Sequence, residues 1–179
     1  MRLSASDTDM AHNVKSATDL KGTLIQELLA LLDGGNAHAT FEAAVKDFPA
    51  KLRGEVPEGL PYSAWQIVEH LRIAQRDILE FTDNKEGGYR GMKWPEAYWP
   101  KTPAPPSEAA WEHSIREIHA DRKLFEKLLK EADDQSLTEP FSWGDGQTLL
   151  RETLLIADHN SYHTGELIVL RRLLGAWKK

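Results

Sequence analysis

His159 and His163 stand four residues apart in the stretch TLLRETLLIADHNSYHTGELIVLRRLLGAW. Four residues of α-helix amount to about 6 Å of rise and about 40° of rotation, so both imidazoles share a face. Such a pair reaches a single ion once a third ligand arrives from another element. His70, inside an apolar helical stripe of its own, is the candidate third ligand. Neutral imidazole suits Zn²⁺, Ni²⁺ and Fe²⁺ alike. Chance has to be weighed as well. Seven histidines scattered over 179 positions give an i,i+4 pair roughly one time in four or five. The pair alone is a weak signal, and histidines satisfied in the core are its bland rival.

Three protein ligands leave one or more positions open for water or substrate, as in a catalytic rather than a structural site. A metal so held lowers the pKa of a bound water or thiol, or polarises a carbonyl. Two familiar helical metal sites fail on the residues. A di-iron centre needs Glu three positions before His, and those positions hold Asp9, Gly35, Ile67, Ala110, Arg116, Ile156 and Asn160. A zincin needs His-Glu-x-x-His, whereas this chain has His159-Asn160-Ser161-Tyr162-His163. Neither pattern is met.

Other side chains are weaker candidates. Glu166, three residues past His163, is a possible outer acceptor or base, against a solvated helix glutamate. Tyr162 is a possible pocket residue, against a packing tyrosine. Glu69 points about 100° away from His70. Arg72, Arg171 and Arg172 suit a carboxylate, against helix-end charges.

The elements that must position these residues read as helices. Ser16–Asp33 carries Leu20, Leu24, Leu28 and Leu31 at helical spacing and stops at Gly34-Gly35. Thr40 is a possible N-cap for a short piece with Phe41, Ala44, Val45 and Phe48 on one face, ended by Pro49. Ser63 and Gln66 form a capping box for a helix to about Phe81, whose stripe is Ile67, His70, Leu71, Ala74, Ile78 and Phe81. An unpaired imidazole in that stripe costs a few kcal/mol or so. Residues 82–106 form a 25-residue loop with five prolines and four of the chain's aromatics, Tyr89, Trp94, Tyr98 and Trp99. A loop that long has a job, as a crossover, a lid, or both. Ser107 opens a helix to about Glu131 with Trp111, Ile115, Ile118, Phe125 and Leu129 inward. His113 and His119 fall off a common face. A polar connector ending in FSWGDGQ leads to the last helix, whose stripe is Ile156, His159, His163, Leu167, Leu170 and Leu174.

Composition narrows the function. The 41% apolar content over 179 residues suffices for one core. A loose N-terminal arm over residues 1–15, with His12 in it, and one domain over 16–179 are expected. With 22 basic against 28 acidic residues and no basic stripe, nucleic acid is not expected as a partner. No signal-peptide or membrane-span pattern is present, so a cytoplasmic protein without a membrane partner is expected. Cysteine is absent, so any metal is held by His, Asp or Glu, and any thiol comes from a small molecule.

WQIVEHLRIAQ, followed some ninety residues later by DHNSYHTGELIVLRRLLGAW, resembles the DinB/YfiT-like metal-binding four-helix bundles. The resemblance covers about residues 16–177 and rests on the second and last bundle helices. Four long helices, one short one and no strand already read as an all-α bundle, and the resemblance implies a four-helix bundle with a long crossover between the second and third bundle helices. It implies one divalent metal held by His70, His159 and His163. Members of the family are similar to S-transferases that use glutathione, mycothiol or bacillithiol, or are regarded as metal-dependent hydrolases, and bundles of this kind often pair as homodimers. The expected function is therefore a metal-dependent enzyme that activates a small thiol or water for attack on a small-molecule substrate. The alternative is a non-enzymatic stress-response or ligand-binding bundle whose metal is structural.

Overall fold

Three of the four long helices begin where side chains take up their free amides. In the computed structural model, which describes residues 20–177, the four are α1 (Leu20–Asp33), α3 (Ala64–Thr82), α4 (Glu108–Glu131) and α6 (Leu149–Leu173). The arm read at residues 1–15 lies outside the described residues. Ser63 and Gln66 cap α3 reciprocally, at 3.2 and 3.1 Å. Ser107 and Thr148 accept the amides of Ala110 and Arg151 at the starts of α4 and α6. Thr40 does the same for the short α2 (Phe41–Val45). Each cap takes up a donor that the first turn cannot use. α1 ends as expected at Gly34, whose φ of +76° suits glycine and whose amide returns to Ala30.

The all-α bundle is observed, and the described residues hold no strand. It has two short helices rather than one. The second, α5 (Asp134–Thr138), sits in the connector read as irregular, opened by reciprocal capping of Asp133 and Ser136 and anchored by buried Leu137. Five residues are too few for a periodic stripe to show. The buried face of α1 also differs from the reading. Leu28 and Leu32 face the core, while Leu20 and Leu31 are exposed. In a helix this rich in leucine, two stripes compete, and the neighbours decide between them.

Contacts along the helices fix their directions. Ser63 meets the carbonyl of Pro103, Arg53 pairs with Glu108, Ser114 bonds Glu69, and Gln75 bonds the carbonyl of Ile118. Position therefore rises together along α3 and α4, and the two run parallel. Residues 83–107 form the long crossover that this arrangement demands. Lys21 pairs with Asp134 and Asp33 with Arg122, so α1 is antiparallel to α4. His70 faces His159 while Leu79 packs near Ile156 and Leu149, so α6 is antiparallel to α3.

Two apolar clusters fill the bundle. Trp65, Leu71, Trp111, Ile118, Leu167 and Leu170 belong to the one beside α2, and Leu32, Leu79, Phe125, Leu129 and Ile156 to the other. Arg171 is spent on this framework. It donates to the carbonyls of Ala43, Ala44 and Lys46, closing the C-terminal end of α2. Arg172 lies over the Trp177 ring.

Asp121 is fully buried between α3 and α4. Arg76 approaches it to 2.6 Å, yet neither carboxylate oxygen has an aligned donor. Burial lifts its pKa from 3.8 to about 6, against the pull of Arg76. A carboxyl whose folded pKa is raised loses stability as pH climbs from the unfolded value through the folded one. The full penalty, about 3 kcal/mol, is therefore present above roughly pH 6 and absent below roughly pH 4. Asp121→Asn is expected to match the parent near pH 4 and to exceed it by about 2–3 kcal/mol at pH 8. Urea unfolding at the two pH values checks this. Equal stability at pH 8 would show that Arg76 fully compensates the buried charge.

Candidate metal centre

His70 stands two turns into α3, and its ring is 1% exposed. His159 and His163 rise from consecutive turns of the antiparallel α6 to meet it. Their ring centroids lie 4.9 and 4.8 Å from that of His70, and 4.6 Å from each other. One nitrogen from each ring lies within 4.8 Å of the other two, and the Nε2 atoms of His70 and His159 are 3.0 Å apart. Among the described residues this is the one cluster of three or more His, Asp or Glu side chains with metal-ligand spacing. The three sequence-derived ligands are therefore brought together.

The crossover supplies what a helix pair alone cannot. The carbonyl of Tyr98 lies 2.9 Å from His70 Nδ1, and since a carbonyl only accepts, Nδ1 carries the proton. The Nε2 lone pair is left free. Trp99 stacks on the His70 ring at 3.8 Å and 4°, and Tyr62 stacks on Trp99 at 3.8 Å and 13°. The loop read as a crossover or a lid thus crosses over, and its Trp99 covers one face of His70.

Glu166 takes the matching place on the other side. Its Oε2 lies 2.6 Å from His163 Nδ1, which directs His163 Nε2 inward. Tyr162 is exposed at the rim, close enough to Glu166 to feel its charge. Burial raises the pKa of Glu166, and Glu166 in turn raises that of Tyr162. Both candidates lie at the site, and Glu166 is an acceptor for a histidine. The others do not point into it. Glu69 and Arg72 hold each other, and Glu69 also accepts from Ser114. Arg171 and Arg172 serve the helix ends. His113 is exposed, and His119 pairs with Glu42 at 3.4 Å.

Desolvation dominates the protonation of the cluster. It lowers the pKa values of His159 and His163 to about 4, helped by the neighbouring rings, and it also lowers that of His70. All three are neutral near pH 7, as metal ligation requires. His159 Nδ1 is buried without a hydrogen-bond partner. Two directed imidazoles, a third with an orphaned nitrogen and three neutral rings fit a divalent cation. Two nitrogens about 2.1 Å from one ion are at most about 4.2 Å apart, so small side-chain rotations bring the set into range.

Sequence reasoning missed Tyr98, Trp99 and Asp77 as partners of the site. The tyrosine acts through its backbone carbonyl, which no residue type announces. Asp77, seven residues past His70, was legible by spacing, since two turns return to one face. Its carboxylate accepts from both the Tyr89 and Tyr98 hydroxyls, at 2.9 and 2.6 Å. A cavity of about 110 Å³ lies on the other flank of α6, against Leu32, Phe41, Ile118 and Ala157. None of the three histidines lines it.

The family model of the DinB superfamily matches residues 35–167, and the chain belongs to that superfamily. Neither a curated protein nor a solved structure matches it. No described helix is long and apolar enough to cross a membrane.

Proposed function

We propose that His70, His159 and His163 hold one divalent metal ion, Zn²⁺, Ni²⁺ or Fe²⁺, in a transferase or hydrolase that acts on a small molecule. The observation that carries this reading is the donor set. Three neutral imidazoles converge, two of them directed by acceptors behind them, and the described residues add no fourth side chain to close the shell. When bound, the cation lowers the pKa of a thiol or water placed beside it and polarises a carbonyl.

The chain's own residues then do the rest. The Tyr98 carbonyl and Glu166 aim the rings of His70 and His163, so the site needs little rearrangement. The Trp99 and Tyr62 stack keeps water from one face of His70. Tyr162 is exposed and Glu166 half-buried, so a hydroxyl and a carboxylate stand at the rim to take up a released proton. No cysteine is available, so a thiol substrate is a small molecule.

Elemental analysis after reconstitution tests the reading, with His159→Ala/His163→Ala as its control. About one equivalent of metal in the parent and none in the variant is expected. Thiol-dependent consumption of an electrophile such as chlorodinitrobenzene, or hydrolysis of an activated ester, is expected to stop on chelation. No metal in either protein after exposure to all three ions sinks the metal reading. Metal without either activity favours the structural role.

A further inference from the structure

His159 is the ligand without a visible support, and its surroundings explain why. His70 Nδ1 gives its proton to the Tyr98 carbonyl, so His70 Nε2 is a bare lone pair. His159 Nε2 sits 3.0 Å from it. Two lone pairs do not face each other at that distance, so without a cation His159 carries its proton on Nε2. Its Nδ1 is then a second bare lone pair, buried and unpartnered.

The neighbouring amide has the complementary defect. The Ile118 carbonyl can only accept, so Gln75 must present Nε2 to it, at 2.7 Å. Gln75 Oε1 is thereby turned to Asn160, which must present Nδ2, at 2.8 Å. That fixes the Asn160 amide and leaves its Oδ1 buried and unpartnered. Gln75 is 1% exposed and Asn160 Oδ1 is itself closed off, although both residues also line the 110 Å³ cavity on that flank of α6. Asn160 follows His159 on α6, and both side chains reach toward α3, the one to Gln75 and the other to His70. Two orphaned acceptors thus belong to adjacent residues.

We propose that Gln75 and Asn160 are positioning residues for His159: when a divalent cation takes the Nε2 lone pairs, the His159 proton moves to Nδ1 and is accepted by Asn160 Oδ1. This rests on the metal reading above and deepens it. The Ile118 carbonyl, Gln75 and Asn160 form a fixed relay from α4 through α3 to α6. One tautomer change converts both orphans into a hydrogen bond, and each of the three ligands then has an acceptor behind it. Outer acceptors of this kind set ring orientation and ligand basicity.

The test is a Zn²⁺ titration against a competing chromophoric chelator, run on the parent, Asn160→Leu and Asn160→Asp. Asn160→Leu removes the acceptor at similar volume, and a 10–100-fold loss of Zn²⁺ affinity is expected. Asn160→Asp keeps an acceptor for His159 but sets a carboxylate oxygen against Gln75 Oε1. Its metal-free melting temperature is expected to fall while its Zn²⁺ affinity stays within about threefold of the parent or improves. A purely structural role moves stability and affinity together. Long-range ¹H–¹⁵N spectra of the zinc form are expected to show the His159 proton on Nδ1. Asn160→Leu binding as tightly as the parent, Asn160→Asp binding as weakly as Asn160→Leu, or the proton on Nε2 each overturns the relay alone. A parent that takes up no Zn²⁺ overturns the metal reading and the relay with it.

Discussion

Saturating Zn²⁺ is expected to raise the melting temperature of the parent by roughly 8–16 °C and to leave His159→Ala/His163→Ala unmoved. A ligand that binds only the folded chain stabilises it by about 4 kcal/mol at a thousand times its dissociation constant. A chain of this size moves about 2–4 °C per kcal/mol. His70 on α3 and His159 on α6 are 89 residues apart in sequence. The unfolded chain therefore has no preformed site to compete for the ion.

The pH dependence of that shift follows from the imidazoles. His159 and His163 have folded pKa values of about 4, lowered first by burial. Protons therefore compete with the cation only as pH nears that value, and the Zn²⁺ shift is expected to stay nearly flat from pH 8 down to about pH 5. The metal-free chain behaves differently. Between about pH 4 and the ordinary histidine value near 6.5, the unfolded state binds protons that the fold refuses. Stability therefore rises with pH across that window, and it is lost as pH falls through it. Removing both histidines takes their part of this slope away and leaves the opposite slope of buried Asp121 between about pH 4 and 6. Differential scanning calorimetry at pH 5, 6.5 and 8, with and without Zn²⁺, separates the two effects. A zinc shift that persists in the double variant places the ion elsewhere.

The sequence carried the ligands and lost their supports, and the reason is physical. An i,i+4 histidine pair and a capped stripe are periodic signals, and both survive folding because neighbours a turn apart on a helix stay neighbours. Thr40, Ser63 and Ser107 are caps in the structure as in the sequence, since a cap is decided within four residues. The contributions of Tyr98, Trp99 and Gln75 depend on the path of a 25-residue crossover and on which carbonyl meets which ring. Nothing local encodes that. The misread face of α1 belongs to the same class. Leu31 and Leu32 are equal as residues, and only packing against Phe125 and Ile156 distinguishes them. Arg171 illustrates the converse: a charge at the end of α6 reads either as a carboxylate binder or, by preference, as a helix-end charge, and it is spent on three backbone carbonyls of the α2 end, which the sequence does not name.

Asp77→Ala is the second change expected to have a large effect, although Asp77 touches neither a ligand ring nor the ion position. It stands two turns from His70 on α3, about 10 Å along the axis and nearly on the same face. Its two oxygens hold the hydroxyls of Tyr89 and Tyr98. Burial first, and then the carboxylate itself, push the Tyr89 pKa up to about 12 and that of Tyr98 higher still. Both tyrosines therefore remain donors at every working pH. Through them Asp77 clamps the crossover at two points, and the second clamped residue also supplies the carbonyl on His70 Nδ1. Trp99, the next residue, covers the same ring. Loss of the carboxylate frees that segment. Stability is expected to fall by about 2 kcal/mol, since both bonds are charge-assisted but partly solvated. Zn²⁺ affinity is expected to fall 10–100-fold as His70 loses its fixed orientation. Tyr98→Phe removes one of the two clamps and keeps the carbonyl, so a smaller loss is expected. Combined with Asp77→Ala it should add little, because both changes remove the same contact. Chelator competition and urea unfolding on the three variants measure both quantities. If Asp77→Ala lowers stability while Zn²⁺ affinity holds at the parent value, the clamp serves the fold alone and His70 is aimed by its helix.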